Sequence, residues 1–187
     1  MKPKIGIALT GSFCTFRTVM DVLKQLGNYE LIPIMSETSF GTDTRFGAAE
    51  SFRQELEQLC GRSILHTLPQ VEPLGPKKLL DALVILPCTG NTLGKLANGI
   101  ADSPVTFACK AHLRNGRPVV LGISTNDGLS ASGENIGKLL ARRHFYFVPF
   151  GQDSPMEKPY SLVAHMELLP QTLEAALHGQ QLQPILV

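Results

Sequence analysis

The segment Pro87-Cys88-Thr89-Gly90-Asn91-Thr92 sets thiol, hydroxyl and amide groups between the apolar run Ala82 to Leu86 and a stretch with helical character, Leu93 to Ala101. A buried strand that ends in such residues and opens into a helix puts polar groups at the carboxyl edge of a sheet, where open α/β sheets bind ligands. The hydroxyls of Thr89 and Thr92, the Asn91 amide and the N–H groups of a helix start suit an oxygen-rich ligand. The same residue types also serve as ordinary helix N-caps. Cys88 reads as a small buried residue closing the strand, with a reactive thiol as the alternative.

Three more segments repeat the pattern. Thr10-Gly11-Ser12-Phe13, Ser36-Glu37-Thr38-Ser39-Phe40 and Ser124-Thr125-Asn126-Asp127-Gly128 each follow an apolar run. Any one alone reads as a turn or cap. Four such edges in one chain point to a small phosphate-bearing ligand held by hydroxyls, without arginine or metal. Gly11 lets the backbone turn, and Ser12 suits a phosphate or a helix cap. There is no GxGxxG pattern and no Walker lysine, which argues against a dinucleotide or a nucleoside triphosphate. The expected ligand-binding set is Gly11, Ser12, Phe13, Ser36, Thr38, Pro87, Cys88, Thr89, Asn91, Thr92, Ser124, Thr125 and Asn126.

Charged candidates are fewer. Lys95 lies one helical turn beyond Asn91, as an anion contact or a solvated charge. Lys110, His112 and Arg114 alternate along one segment. His112 suits a general base with a near-neutral pKa, and the two cations suit a dicarboxylate. The bland alternative is an exposed helix face.

These groups depend on alternating strands and helices. Strands are expected at Lys4–Thr10, Tyr29–Met35, Ala82–Leu86, Val119–Ile123 and Phe145–Val148, with a short one at Ser63–Thr67. Helices are expected at Phe16–Leu26, closed by Gly27-Asn28, and at Ala48–Cys60, Val105–Leu113 and Ile136–Arg142. Leu162–Leu177 reads as a long helix kinked by Pro170. Leu68–Pro76, with three prolines, reads as a loop, as does the stretch around Pro149, Pro155 and Pro159, and the tail from Gln180 as extended. This βαβ rhythm predicts an α/β, Rossmann-like fold: a doubly wound, mostly parallel sheet with helices on both faces, in one domain over residues 1–187.

Composition bounds the class. Over 187 residues, 43% are apolar and 18% charged, with a net charge of +1. That is globular and gives no reason to expect nucleic acid or an anionic membrane surface. The apolar run after Lys2 and Lys4 is too short for an export signal and is broken by Thr10-Gly11-Ser12. The four cysteines form no CxxC pair and read as reduced and cytosolic. The five histidines share no metal-ligand spacing.

Taken in order, Thr10-Gly11-Ser12, Ser36, the segment from Pro87 to Thr92 and Lys95-Leu96-Ala97-Asn98-Gly99-Ile100 resemble the flavoprotein family of flavin-dependent cysteine decarboxylases. The resemblance covers most of the chain. The family signature at the central strand is Pro-Ala-Ser-Ala-Asn-Thr, matched here at Pro87, Asn91 and Thr92. It implies flavin mononucleotide (FMN) on a Rossmann-like fold, a homo-oligomer, and a substrate contact at Asn91. Two departures concern the decarboxylase chemistry. The acid/base His that precedes the family's central strand is absent from Val71 to Gly75, and its Pro-Ala-Met-Asn segment is here Ile123-Ser124-Thr125-Asn126. The segments Gly75–Lys78, Lys110–Asn115, Ser124–Gly128, Val148–Asp153 and Gln183–Ile185 resemble one branch of that family from end to end. That branch implies one half of a two-component oxidoreductase, working with a nucleotide-binding partner chain in the cytoplasm of a sporulating mother cell. Its reaction would be a two-electron oxidation of a dihydropyridine dicarboxylate. Asn91 and His112 would then be the catalytic candidates, with Lys95, Lys110 and Arg114 binding substrate. Two alternatives stay open: a flavin-dependent decarboxylase, and a non-catalytic component that completes its partner's site.

Overall fold

A computed structural model describes residues 2–187. The chain runs through β1 (Lys4–Leu9), α1 (Phe16–Leu23), β2 (Glu30–Met35), α2 (Glu37–Gly41), α3 (Ala49–Cys60) and α4 (Leu68–Val71). It continues through β3 (Ala82–Cys88), α5 (Gly90–Ala97), α6 (Pro104–Leu113), β4 (Val119–Thr125) and α7 (Gly133–Leu140). It ends with β5 (Phe145–Phe147), β6 (Phe150–Gly151), β7 (Leu162–Ala164) and α8 (Leu169–Leu177).

The sheet order is β2-β1-β3-β4-β7-β6, with β5 also paired to β4. The pairs among β1 to β5 are parallel. Strands covered by helices on both faces must be apolar on both faces, and β3 is buried at every residue. From β1 the chain first builds β2 on one side and later β3 on the other. The strand order therefore reverses between β1 and β3, which opens a crevice at their carboxyl ends. One late strand runs the other way: Ser124 and Thr125 pair antiparallel with Val163 and Leu162 of β7, and β6 pairs antiparallel with β7 in turn. This return brings the 152–161 loop back to the end of β4.

Close strand–strand contact requires Gly122. A Cβ there would lie 1.8 Å from Leu86 Cδ1, and Leu86 is fully buried. Gly122→Ala is expected to destabilise the fold by about 2 kcal/mol through overpacking. An unchanged thermal midpoint would mean that Leu86 has room to move aside.

The doubly wound sheet agrees with expectation, and several boundaries do not. Helix α1 closes at Lys24 in right-handed geometry, and Gly27 is not among the residues with positive φ. The left-handed cap falls after α3 instead, at Gly61 with φ 66°. Ser63–Thr67 makes one bridge, Leu65 to Ile34, not a strand. Leu68–Pro76 is not a loop: it holds α4 and a 3-10 turn at Glu72–Leu74, each with a proline in its first turn, where no N–H is needed. Helix α5 starts at Gly90 and stops at Ala97, earlier than the apolar spacing suggests at both ends. Leu162–Leu177 splits into β7, a 3-10 turn and α8, with Pro170 opening α8 instead of kinking a longer helix. A short apolar run followed by a helix cannot be told by periodicity from one long helix. Pro149 is buried, whereas Pro155 and Pro159 lie in an exposed loop.

Candidate functional site

The ends of β1, β3 and β4 are fastened by side chains. The buried Thr10 hydroxyl donates to the Pro87 carbonyl at 2.7 Å and accepts the Thr89 N–H at 3.2 Å. These bonds tie the turn after β1 to the start of α5. Ser12, in the turn after β1, and Ser124, near the end of β4, share a hydroxyl–hydroxyl hydrogen bond of 2.7 Å. Thr89 caps α5, accepting the Thr92 N–H at 3.3 Å, and the two hydroxyls lie 3.0 Å apart. Ser36 caps α2 by accepting the Ser39 N–H at 3.2 Å, and the Ser39 hydroxyl donates to the Leu9 carbonyl at 2.9 Å.

Two cavities meet at Gly11 and Thr89, which line both. One, of about 440 Å³, is lined by Ser12, Gly90, Ser124, Thr125 and Asn126 together with Cys14, Thr15, Asp153, Lys158, Ser161 and Val163. The other, of about 270 Å³, is lined by Thr10, Ser36, Glu37, Thr38, Asn91, Thr92, Lys95 and Ser103. A larger hollow of about 590 Å³, beside Lys4, Tyr29 and Cys60, lies at the opposite edge of the sheet and lacks a set of converging hydroxyls.

The charged lining groups of the two joined cavities come as one cation and one anion each. Lys158 lies 3.3 Å from Asp153, and Lys95 lies 2.9 Å from Asp102 beside the second cavity, where Glu37 is also exposed. Partial burial pushes the Asp153 carboxyl up. The Ser161 hydroxyl and the Lys158 ammonium outweigh it and hold the group below its ordinary value. Most of the lining is neutral hydroxyl and amide. Where two hydroxyls share one hydrogen bond, only one proton is committed. The other proton and several lone pairs remain for a ligand.

The structure thus brings together Gly11, Ser12, Ser36, Thr38, Thr89, Asn91, Thr92, Lys95, Ser124, Thr125 and Asn126. It separates the others. Phe13 packs on Phe16, ring centroids 5.1 Å apart, and lines neither cavity. Pro87 and Cys88 are buried within β3. Pro87 contributes its carbonyl to Thr10, and burial, with Cys109 nearby, pushes the Cys88 thiol well up from its ordinary value.

His112 is a correction of another kind. It is 1% exposed, and its Nε2 lies 3.0 Å from the carbonyl of Pro118, just ahead of β4. The cleft is at the other end of that strand, about 20 Å away at the usual rise per residue. Burial drives the imidazole pKa down to about 4, so the ring is neutral near pH 7 and turned into the core. Lys110 and Arg114 line a separate cavity of about 350 Å³ with Leu96, Ile100, Leu113 and Phe145, also away from the cleft. The alternating charges mark the last turns of α6.

Thr10 and Gly90 lie inside segments singled out from the sequence, but outside the expected ligand-binding set, and join the site. Ser103, Asp153, Lys158 and Ser161 join it without a sequence signal that marks them for it. The 153–161 residues reach the cleft only because β7 pairs backwards onto β4.

The chain belongs to the flavoprotein family, which it matches over residues 1–157, and its doubly wound sheet is a fold it shares with solved structures. It is 50% identical over 186 residues to the dipicolinate synthase B chain of Bacillus subtilis (strain 168), covering 98% of this chain and 93% of that protein. It also resembles the crystal structure of the dipicolinate synthase B chain from Bacillus halodurans C, with a TM-score of 0.91 and 47% identity over 99% of this chain and 96% of that one. The FMN-dependent cysteine decarboxylase SpaF shares the fold, with a TM-score of 0.66 at 20% identity and 94% of each chain covered.

Proposed function

We propose that this chain is the B-type component of a dipicolinate synthase. With its A-type partner it oxidises dihydrodipicolinate to dipicolinate in the mother-cell cytoplasm during endospore formation, and it carries an FMN-type flavin in the joined cleft. The observation that carries this reading is the hydroxyl cradle at the switch point, with Ser12 and Ser124 bridged at 2.7 Å across the strand ends. The end-to-end similarity to B-type chains supports the substrate and the partner.

The residues fit the cofactor. Phosphate and ribityl oxygens need donors and acceptors, and the spare protons of the Ser12–Ser124 and Thr89–Thr92 pairs supply them. Gly90 leaves the wall open where a Cβ would come within 2.8 Å of Thr125, Asp127 and Ser132. The larger cavity, of about 440 Å³, lies within the usual range for small-ligand sites, about 300–1,000 Å³. A bound oxidised flavin supplies the two-electron acceptor. The chain's own residues bind and orient: hydroxyls and the α5 start hold the phosphate-bearing part, and the Asn91 amide and Lys95 ammonium meet a substrate carboxylate. The exposed Leu186 and Val187 support packing against another copy of the chain.

The test is the visible spectrum after FMN is added and the excess removed. Retained bands near about 370 and 450 nm are expected of a bound oxidised flavin. Ser12→Ala should weaken FMN binding by about fivefold, the value of one hydrogen bond. A wild-type protein that stays colourless overturns the flavin reading and leaves a component that completes its partner's site.

A further inference from the structure

We propose that Lys158 is the substrate-recognition residue of the larger cleft cavity, where its ammonium binds one carboxylate of a small dicarboxylate and Asp153 holds it ready. This rests on the dicarboxylate reading above.

The cavity of about 440 Å³ has one cationic side chain, Lys158, and one anionic one, Asp153, on an otherwise neutral lining among the described residues. A carboxylate entering it has that single full positive charge to meet. The other cations expected from sequence do not compete for the role. Lys95 lines the second cavity and not this one, and Lys110 and Arg114 open onto a different surface.

The loop that carries Lys158 is braced on both sides. Its N–H donates to the Ser154 carbonyl at 2.7 Å, and its carbonyl accepts the Ser161 N–H at 3.0 Å. The Gln152 amide donates to the Pro159 carbonyl at 2.8 Å. The loop is fixed to the cleft wall by the Ser161 hydroxyl on the Thr125 carbonyl at 3.2 Å and the Leu129 N–H on the Tyr160 carbonyl at 2.9 Å. The main chain thus presents Lys158 toward the end of β4.

The ion pair is not closed. Its 3.3 Å separation exceeds the 2.7–2.9 Å typical of a tight charge-assisted bond. An ammonium has three donors, and Asp153 takes at most one of them well. Two remain for a carboxylate, while Asp153 keeps the side chain from wandering into solvent.

Calorimetric titration of the FMN-loaded full chain with pyridine-2,6-dicarboxylate tests this, with pyridine-2-carboxylate as the single-carboxylate comparison. Lys158→Met should weaken dicarboxylate binding by about tenfold, as for an exposed charge-assisted contact. Flavin affinity should be retained, and Lys158→Arg should restore most of the loss. Asp153→Asn keeps an amide oxygen to hold the ammonium and removes the competing charge, so it should bind the dicarboxylate about threefold more tightly. The salt dependence of binding should shrink in Lys158→Met. If wild type binds the dicarboxylate and Lys158→Met binds it equally well, this assignment falls and the proposed function stands. If wild type binds flavin but no dicarboxylate, the substrate reading and this assignment fall together.

Discussion

Gly90→Ala is expected to lower FMN affinity by about thirtyfold while leaving the secondary structure intact, the scale of an overpacked contact. Gly90 opens α5, where right-handed backbone tolerates alanine, so the effect comes from space and not from the main chain. A methyl there would lie 2.7 Å from both Ser132 Oγ and Thr125 Oγ1 and 2.8 Å from Asp127 Oδ1. None of these groups retreats easily. The Thr125 hydroxyl donates to the Asp127 carboxylate. The turn that carries Asp127 and Ser132 is braced by the Ser130 and Ser132 N–H groups on the Asp127 carbonyl, at 2.9 and 3.1 Å. Relief therefore comes by moving α5 away from β4, which pulls Thr89 and Asn91 off their positions in the cleft. Fluorescence titration with FMN, beside circular dichroism, measures both quantities. Wild-type affinity in the alanine variant would show that the wall yields and that the cleft does not depend on this close approach.

The second large effect is on stability and involves His112. Its pKa is about 4 in the fold, against about 6.5 in an unfolded chain, because burial disfavours the imidazolium. The Pro118 carbonyl opposes this by accepting from the ring; Arg117 adds to the lowering, and Asp81 acts against it. Between those values the unfolded state takes up a proton that the native state refuses. The contribution is therefore fully present above about pH 6.5, falls as pH falls, and levels off below about pH 4, for a total of about 3 kcal/mol. His112→Gln keeps a donor for Pro118 and removes the titration. In urea unfolding between pH 7.5 and 4.5, wild type should lose more stability than the variant, with flavin binding at neutral pH nearly unchanged in both. Parallel stability curves would mean that the ring is protonated in place at little cost.

Much of the architecture is legible in the residues alone. The runs Ile5 to Leu9, Ala82 to Leu86 and Val119 to Ile123 carry no alternation, and only strands buried on both faces need that. Hydroxyls after each run belong at one edge of the sheet because parallel strands place all their carboxyl ends together. The periodicity of α1, α3 and α6 is equally local. Expectation and structure part where local information is ambiguous. Leu162 to Leu177 has the apolar content of a helix, and only pairing with Ser124 and Thr125 makes its first residues a strand. The prolines of 68–76 suggest irregular chain, yet a proline in a first turn costs a helix nothing.

Hydrophobic patterning and strand direction are enough to define the doubly wound sheet, the edge at which a ligand sits and most of the hydroxyls there, and all of these are written along the chain. Which charged and titratable groups reach that edge depends on contacts between distant segments. His112 follows a pattern suited to catalysis, but α6 turns it toward Pro118 at the far end of β4, where burial keeps it neutral. Lys158 has no distinguishing context in the sequence. It comes to the cleft because an antiparallel return strand closes on β4, a long-range pairing that no local spacing encodes.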